Sequence, residues 1–331
     1  MDSQVTTQML RLFNLESIHI ELSSKCTLKC PRCPRTELDQ DSLNREFSLA
    51  QFQNAFPISL LKNHIKKILF CGDIGDPIYA TQFLQIIKYI KSNTWTTVEI
   101  VTNGSYKKPE WWTELGLMLT AYDKVTFSVD GWDQASNNLY RVNSDWDSII
   151  EGIRALRATG PVRINWSSIY FNFNEDKMRD IMLIAKDLKV DGFQTVKSSK
   201  FDGSYAVDEV DLLKPSEVNV SATSQYEKTT TSLRRMQEIK IVKNNPSGHT
   251  WAKCMRWEKE LFINVDGIVH PCPWFNSGYH YNDFIDKYRD RLSVKTRSLS
   301  EVLTDELWDE FITRIETMPL DICKVKCRDC K

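Results

Sequence analysis

The stretch Cys26-Thr27-Leu28-Lys29-Cys30-Pro31-Arg32-Cys33 places three thiols close together, directly after the strand-like run Ile18-His19-Ile20-Glu21-Leu22. A thiolate is a soft ligand, and thiolates this closely spaced can converge on one cluster or one soft metal ion. A four-iron cube held by three cysteines keeps one iron without a protein ligand, and that iron is open to chemistry. Two blander readings compete. One is a structural zinc site completed by a distant ligand; the other is a set of unrelated buried thiols. Lys29 and Arg32, lying between the cysteines, argue against a buried run.

The chain has nine cysteines. A second group, Cys254, Cys272, Cys323, Cys327 and Cys330, lies toward the other end. The N-terminus has no basic region followed by an apolar one, so no export signal is expected, and clustered cysteines then read as metal ligands before disulfides. Cys71, at the end of the apolar run Ile68-Leu69-Phe70, reads instead as a small buried hydrophobe outside the chemistry.

The elements that must position these thiols alternate along the chain. Strand patterns fall at 16–23, 66–71, 97–102, 124–129, 162–171 and 193–198, with helical patterns between them at 49–62, 80–91, 109–120, 146–158 and 176–189. Ser144-Asp145-Trp146-Asp147 has the form of a capping box with Asp for Glu, and Pro109 suits a first helical position. Alternation of this kind predicts an α/β fold with a parallel sheet and right-handed crossovers. In such folds ligands gather at the carboxyl ends of the strands. Those ends read Phe70-Cys71-Gly72-Asp73-Ile74-Gly75-Asp76-Pro77, Val101-Thr102-Asn103-Gly104 and Phe127-Ser128-Val129-Asp130-Gly131. The fifth strand is rich in polar residues (Asn165, Ser167, Ser168, Asn172 and Asn174), some of which are expected to face a wet cavity.

The CxxxCxxC spacing after a first strand resembles the signature of the radical S-adenosylmethionine (SAM) superfamily. The resemblance implies a partial (β/α)6 barrel whose three-cysteine 4Fe-4S cluster binds SAM through the open iron and cleaves it to a 5′-deoxyadenosyl radical. It assigns Cys26, Cys30 and Cys33 to that cluster. Gly75, Asp76 and Pro77 are similar to the end of the family's Gly-Gly-Glu-Pro motif, with Asp in place of Glu, whose backbone binds the SAM amino group. Asn103, Ser128 and Asp130 match strand ends that contact SAM or line the cavity. Arg32 stands where the family often has an aromatic or apolar residue against adenine, and a guanidinium can stack there instead. Arg141 matches a recurrent family arginine, and Lys197 is a further cavity candidate.

Beyond about residue 204 the pattern changes. The run from Glu260 to His270 reads as a β-hairpin turning on Asp266-Gly267, and a last helix is expected at 299–317. This part resembles the SPASM/Twitch extension, a smaller C-terminal domain with a hairpin, helices and an auxiliary 4Fe-4S cluster. The domains are thus expected at 1–213 and 214–331. A structural zinc site built from the same ligands is the alternative. Cys254 and Cys272 bracket the hairpin, and Cys327 and Cys330 form a CxxC pair, so these four are the expected auxiliary ligands, with Cys323 as the alternative.

A formal net charge of −1 argues against a broad nucleic-acid or membrane footprint, and no apolar run approaches the ~20 residues that span a bilayer. The expectation is a cytoplasmic enzyme that abstracts hydrogen from a substrate and takes its electron from a carrier such as flavodoxin or ferredoxin. Oxidative modification of a peptide or protein is the first reading. Dehydrogenation of a small polyol or aminocyclitol is the second, and a non-catalytic metal-stapled binding protein is the rival from another class.

Overall fold

The computed structural model describes residues 15–37, 43–197, 213–216, 260–276 and 283–317. Cys254, Cys323, Cys327 and Cys330 lie outside them. Six strands follow one another as β1 (Ser17–Ile20), β2 (Lys67–Phe70), β3 (Thr97–Thr102), β4 (Lys124–Ser128), β5 (Arg163–Ile169) and β6 (Gly192–Val196). Each pairs in parallel with the next. Between them run α1 (Leu49–Ala55), α2 (Ile58–Asn63), α3 (Phe83–Asn93), α4 (Pro109–Met118), α5 (Gln134–Asn137), α6 (Trp146–Ala158) and α7 (Met178–Asp187).

The two faces of the sheet are chemically distinct because side chains alternate along a strand. Ile18, Ile20, Ile68, Phe70, Val98 and Ile100 are fully buried and belong to the same apolar core as Phe83, Ile87, Trp112 and Ile153 of the helices. The alternate positions on β1 to β3 are only half-buried. Val101 of that set, with Ser128 at the end of β4 and Ile169 at the end of β5, lines the cavity described below.

The C-terminal hairpin continues this sheet. Strand β7 (Glu260–Ile263) pairs in parallel with β1, opposite β2, and β8 (Val269–His270) pairs antiparallel with β7. The strand order is β6-β5-β4-β3-β2-β1-β7-β8. The hairpin therefore pairs with the strand that delivers the three cysteines. After it come α8 (Asp283–Lys287), α9 (Leu299–Leu303) and α10 (Glu306–Thr317).

Four local expectations are corrected. The helix expected at 49–62 breaks at Pro57, which has no N–H and drives Phe56 out of helical geometry. The last helix breaks between α9 and α10, where the Asp305 carboxylate accepts from the Leu307 amide and from Arg291 and Arg297. Asp145, not Ser144, caps α6, because the Ser144 hydroxyl is already engaged with Asn137 and Asn138. The hairpin turns through Asn264 to Gly267, with the Gly267 amide donating to the Asn264 carbonyl at 2.8 Å and Gly267 in the left-handed region (φ 83°), so the loop is longer than an Asp-Gly pair.

At the amino ends of the strands, Asp123 is fully buried. Its carboxylate accepts from the Val98 and Thr120 amides, both at 2.7 Å, and pairs with Lys91 at 2.9 Å. Asp123→Ala is expected to cost about 3–5 kcal/mol, because it strands Lys91 and two amides. It should leave ligand binding at the opposite end intact. Urea denaturation followed by circular dichroism measures the first, and SAM affinity of the folded fraction the second.

Candidate active site

The loop that leaves β1 is tied to its surroundings along its length. Ser24 donates to the Arg45 carbonyl (2.9 Å), Lys29 to the Val142 carbonyl (2.9 Å), and Asn143 Nδ2 to the Thr27 carbonyl (2.8 Å). The Tyr79 hydroxyl meets Thr27 Oγ1 at 2.9 Å. Cys30-Pro31-Arg32-Cys33 is a tight turn closed by the Cys33 amide on the Cys30 carbonyl (3.3 Å). Pro31 fits its second position and Arg32 takes the left-handed backbone (φ 58°) that the third requires.

Cys26, Cys30 and Cys33 ring one cavity of about 190 Å³. Its other walls come from the loop after β2 (71–76), from Thr102 and Asn103 after β3, from Ser128 at the end of β4, and from Tyr140 and Arg141. All these stretches except Tyr140 and Arg141 are carboxyl ends of parallel strands. Two N–H groups reach the Cys26 sulfur: the Leu28 amide at 3.4 Å and Asn103 Nδ2 at 3.6 Å. Burial and the nearby Asp76 push the Cys26 thiol up to about 12. Such a sulfur becomes a thiolate when a metal replaces its proton.

Two buried carboxylates shape the walls. Asp76 Oδ2 accepts from the Asn103 amide (2.7 Å), Asn103 Nδ2 (2.6 Å) and Thr102 Oγ1 (3.0 Å), while Oδ1 accepts from the Ile78 amide (3.2 Å). Burial raises its carboxyl to about 6, against the pull of these donors. Glu21 is the second. Its Oε1 accepts from the amides of Asp73, Ile74 and Gly75, and burial pushes it up to about 7. A third buried carboxylate, Asp130, pairs with Arg141 Nε at 2.7 Å and accepts from the Ile169 amide at 2.7 Å.

The sequence candidates fall into distinct places. Gly75, Asp76, Asn103 and Ser128 line the cavity with the three cysteines, as does Arg141. Asp130 stands behind Arg141, and Pro77 opens a buried 3-10 turn behind Asp76; neither lines the cavity, and nor do Arg32 or Lys197. On β5, Asn165 and Ser167 are half-buried, whereas Ser168 on the same strand and Asn174 beyond it are buried and spent on backbone carbonyls. Cys272 caps the 3-10 turn Pro273–Phe275, its carbonyl accepting from the Phe275 amide at 3.3 Å. Cys71, expected from the sequence to be a buried hydrophobe, is instead half-buried and lines the cavity just beyond β2. Glu21 is not singled out by any motif; a charge inside the apolar run Ile18 to Leu22 is its signal.

The donor set fits a cluster better than a single ion. Among the described residues no three His, Cys, Asp or Glu side chains converge as one metal ion needs. Thiols spread around a cavity suit a group whose irons each take a different cysteine.

Comparison with known proteins agrees with this geometry. The profile of the radical SAM superfamily matches residues 20–188, and the chain belongs to that superfamily. Residues 254–331 match the SPASM profile, an iron–sulfur cluster-binding domain, so the chain combines a radical SAM core with a cluster-binding C-terminal region. The cofactors of this family are a 4Fe-4S cluster and SAM, with an auxiliary iron–sulfur site in the C-terminal region. The fold is similar to that of Streptococcus suis SuiB bound to precursor peptide SuiA, at TM-score 0.63 and 14% identity over 93% of this chain and 69% of that one. It is also similar to anSMEcpe with bound AdoMet and Cp18Cys peptide, at TM-score 0.57 and 15% identity over 89% of this chain and 81% of that one. Probable GTP 3′,8-cyclases of Methanococcus maripaludis and Methanocaldococcus jannaschii are each 24% identical to it, over 49% and 53% of this chain. The chain spans about half the length of these curated relatives, 52% and 56%. Among the described residues no helix is long and apolar enough to cross a membrane.

Asp76→Ala should weaken SAM binding more than it lowers the iron content, because it frees the Asn103 strand end while leaving the three cysteines. It should also destabilise the chain by a few kcal/mol, at about 1–3 for each buried donor left without a partner. Asp76→Asn, which keeps one acceptor oxygen, should fall between. Equilibrium SAM binding, iron analysis and urea denaturation on the same three proteins check the order.

Proposed function

We propose that the chain is a radical SAM enzyme that abstracts a hydrogen atom from a peptide or protein substrate and oxidises it, with the auxiliary cluster carrying the electron. The observation that supports it most is the convergence of three cysteines and three successive strand ends on one cavity. Bound there, a reduced cluster and SAM supply a 5′-deoxyadenosyl radical that removes hydrogen from carbon. Cys26, Cys30 and Cys33 would hold the cluster, the loop carrying Gly75, Asp76 and Pro77 would hold the SAM amino group, and Asn103 and Ser128 would line its side. Asp130 would act through Arg141, by fixing that guanidinium at the cavity wall. Arg32 would act from the turn that carries Cys30 and Cys33. Cys272 with Cys254, Cys327 and Cys330 would hold the auxiliary cluster, with Cys323 as the alternative fourth ligand. The domain boundary is proposed near residue 213, although β7 and β8 share the core sheet. A soluble carrier such as flavodoxin or ferredoxin would deliver the electron, and the cytoplasm would be the setting.

A peptide substrate is supported by the nature of the neighbours, since SuiB and anSMEcpe have both been solved with peptides bound and the likeness spans about nine-tenths of this chain. One observation favours the second reading, a small polyol or aminocyclitol. Ser128, Ser167 and Gln194 stand side by side across three strands, and Gln194 Nε2 donates to Ser167 Oγ at 3.1 Å. Such neutral groups suit hydroxyls.

With SAM and a strong reductant, the iron-replete chain should form 5′-deoxyadenosine slowly without substrate, and a Cys26/Cys30/Cys33 triple-Ala variant should form none. Chromatography of the quenched reaction measures it. No 5′-deoxyadenosine from the iron-replete wild type would remove the catalytic reading and leave a binding protein. Deuterium appearing in 5′-deoxyadenosine from a labelled peptide, but not from a labelled aminocyclitol, would support the peptide reading over the second.

A further inference from the structure

Glu21 directly follows β1 and is fully buried. Its Oε1 accepts hydrogen bonds from three consecutive amides, those of Asp73 (2.8 Å), Ile74 (2.7 Å) and Gly75 (3.2 Å). Its Oε2 accepts from the Val265 amide, at 3.3 Å, in the turn between β7 and β8. Its own N–H donates to the Ile263 carbonyl at 2.9 Å. One side chain thus joins the loop after β2 to the C-terminal hairpin.

A second connection runs beside the first. Asn276 Nδ2 donates to Asp73 Oδ2 at 3.3 Å, and Asn276 Oδ1 accepts from Asn264 Nδ2 at 2.8 Å. Asn264 Oδ1 accepts from the amides of Asp266 and Ile268, both at 3.0 Å, and so fixes the hairpin turn. Asn276 closes the 3-10 turn Pro273–Phe275, which begins next to Cys272.

The loop cannot relax away from this anchor on its other side. A Cβ on Gly75 would lie 1.8 Å from the Ser23 carbonyl oxygen, so the loop is pressed against the segment leading to Cys26. With the amides of 73–75 committed to Glu21, the polar groups that the backbone of Ile74 and Gly75 can offer a ligand are carbonyl oxygens. Carbonyls are what an amino group, a donor, requires.

We propose that Glu21 is the positioning residue for the SAM-binding loop, holding 73–75 so that the backbone presents acceptors to the SAM amino group, and that the C-terminal hairpin docks on the same carboxylate. The proposal rests on the radical SAM reading above. It makes the two oxygens of one side chain serve two parts of the molecule, and that division can be tested.

The test compares Glu21→Gln and Glu21→Ala with the wild type, using the anaerobically reconstituted full chain. Three quantities are read: SAM dissociation constant, iron content, and hydrogen–deuterium exchange of peptides covering 72–76 and 262–268. Gln keeps one acceptor oxygen for 73–75 and sets an NH2 group against the Val265 amide. Glu21→Gln should therefore retain protection at 72–76 and most of the SAM affinity, while exchange at 262–268 rises. Glu21→Ala should lose protection in both peptides and weaken SAM binding by about 10- to 100-fold, with iron content unchanged. Rescue by Gln of SAM affinity, but not of hairpin protection, is a pattern that general destabilisation would not give. If Glu21→Ala does not fold, Glu21→Gln alone decides, and equal exchange increases in both peptides, or none in either, overturn the proposal. A cluster-loaded wild type that binds no SAM overturns the radical SAM reading itself. Equal SAM affinity with and without Glu21 overturns only the role of Glu21.

Discussion

Two buried carboxylates, Glu21 and Asp76, hold the ends of the first three strands together. Among the described residues neither accepts a hydrogen bond from a basic side chain; both are satisfied chiefly by N–H groups of neighbouring loops. Burial raises both carboxyls, to about 7 and about 6, and the donors pull in the other direction. A carboxylate can accept several bonds at once, and a low-dielectric setting makes each of them stronger and each missing one more costly. That is why the loops can be short, irregular and still fixed. The loop after β2, the end of β3 and the C-terminal hairpin are held by these two side chains, and the Asp76 amide donates to the Lys25 carbonyl of the cysteine loop at 3.0 Å.

The two ends of the sheet carry different burdens. At the amino ends, Asp123 with Lys91 and two amides closes the helices onto the strands and has no part in the cavity. At the carboxyl ends, buried polar groups surround a cavity ringed by thiols. This division is the one expected of parallel α/β folds, where ligands meet strands at their carboxyl ends. The hairpin extends the sheet past β1: β7 pairs with the strand that delivers Cys26, and Cys272 follows β8 on the far side of β7.

Much of this was legible in the sequence, because it rests on periodicity and on residue types. All six core strands and their parallel order follow from alternating patterns, and the cavity from reading successive strand ends. What was not legible depended on tertiary partners. Pro57 could have been read as a helix break from its chemistry alone. The change of cap from Ser144 to Asp145 could not, since it turns on Asn137 and Asn138 having engaged the serine first. The hairpin was expected within a separate domain, and its alternation says nothing about the edge it joins. Glu21 looked like one polar residue of a strand; its four amide partners come from positions far along the chain. Arg32, placed against the ligand by resemblance, sits in a tight turn outside the cavity lining, where backbone geometry decides its position.

The central claim is that Cys26, Cys30 and Cys33 hold a cluster with one open iron beside the loop that Glu21 fixes. Electron–nuclear double resonance of the anaerobically reduced chain with SAM labelled by nitrogen-15 in its amino group tests it directly. Nitrogen-15 coupling to the reduced cluster is expected in the wild type, and its absence when the three cysteines are replaced by alanine. A reduced four-iron signal that shows no coupling to labelled SAM, or stoichiometric zinc in place of iron, would contradict it.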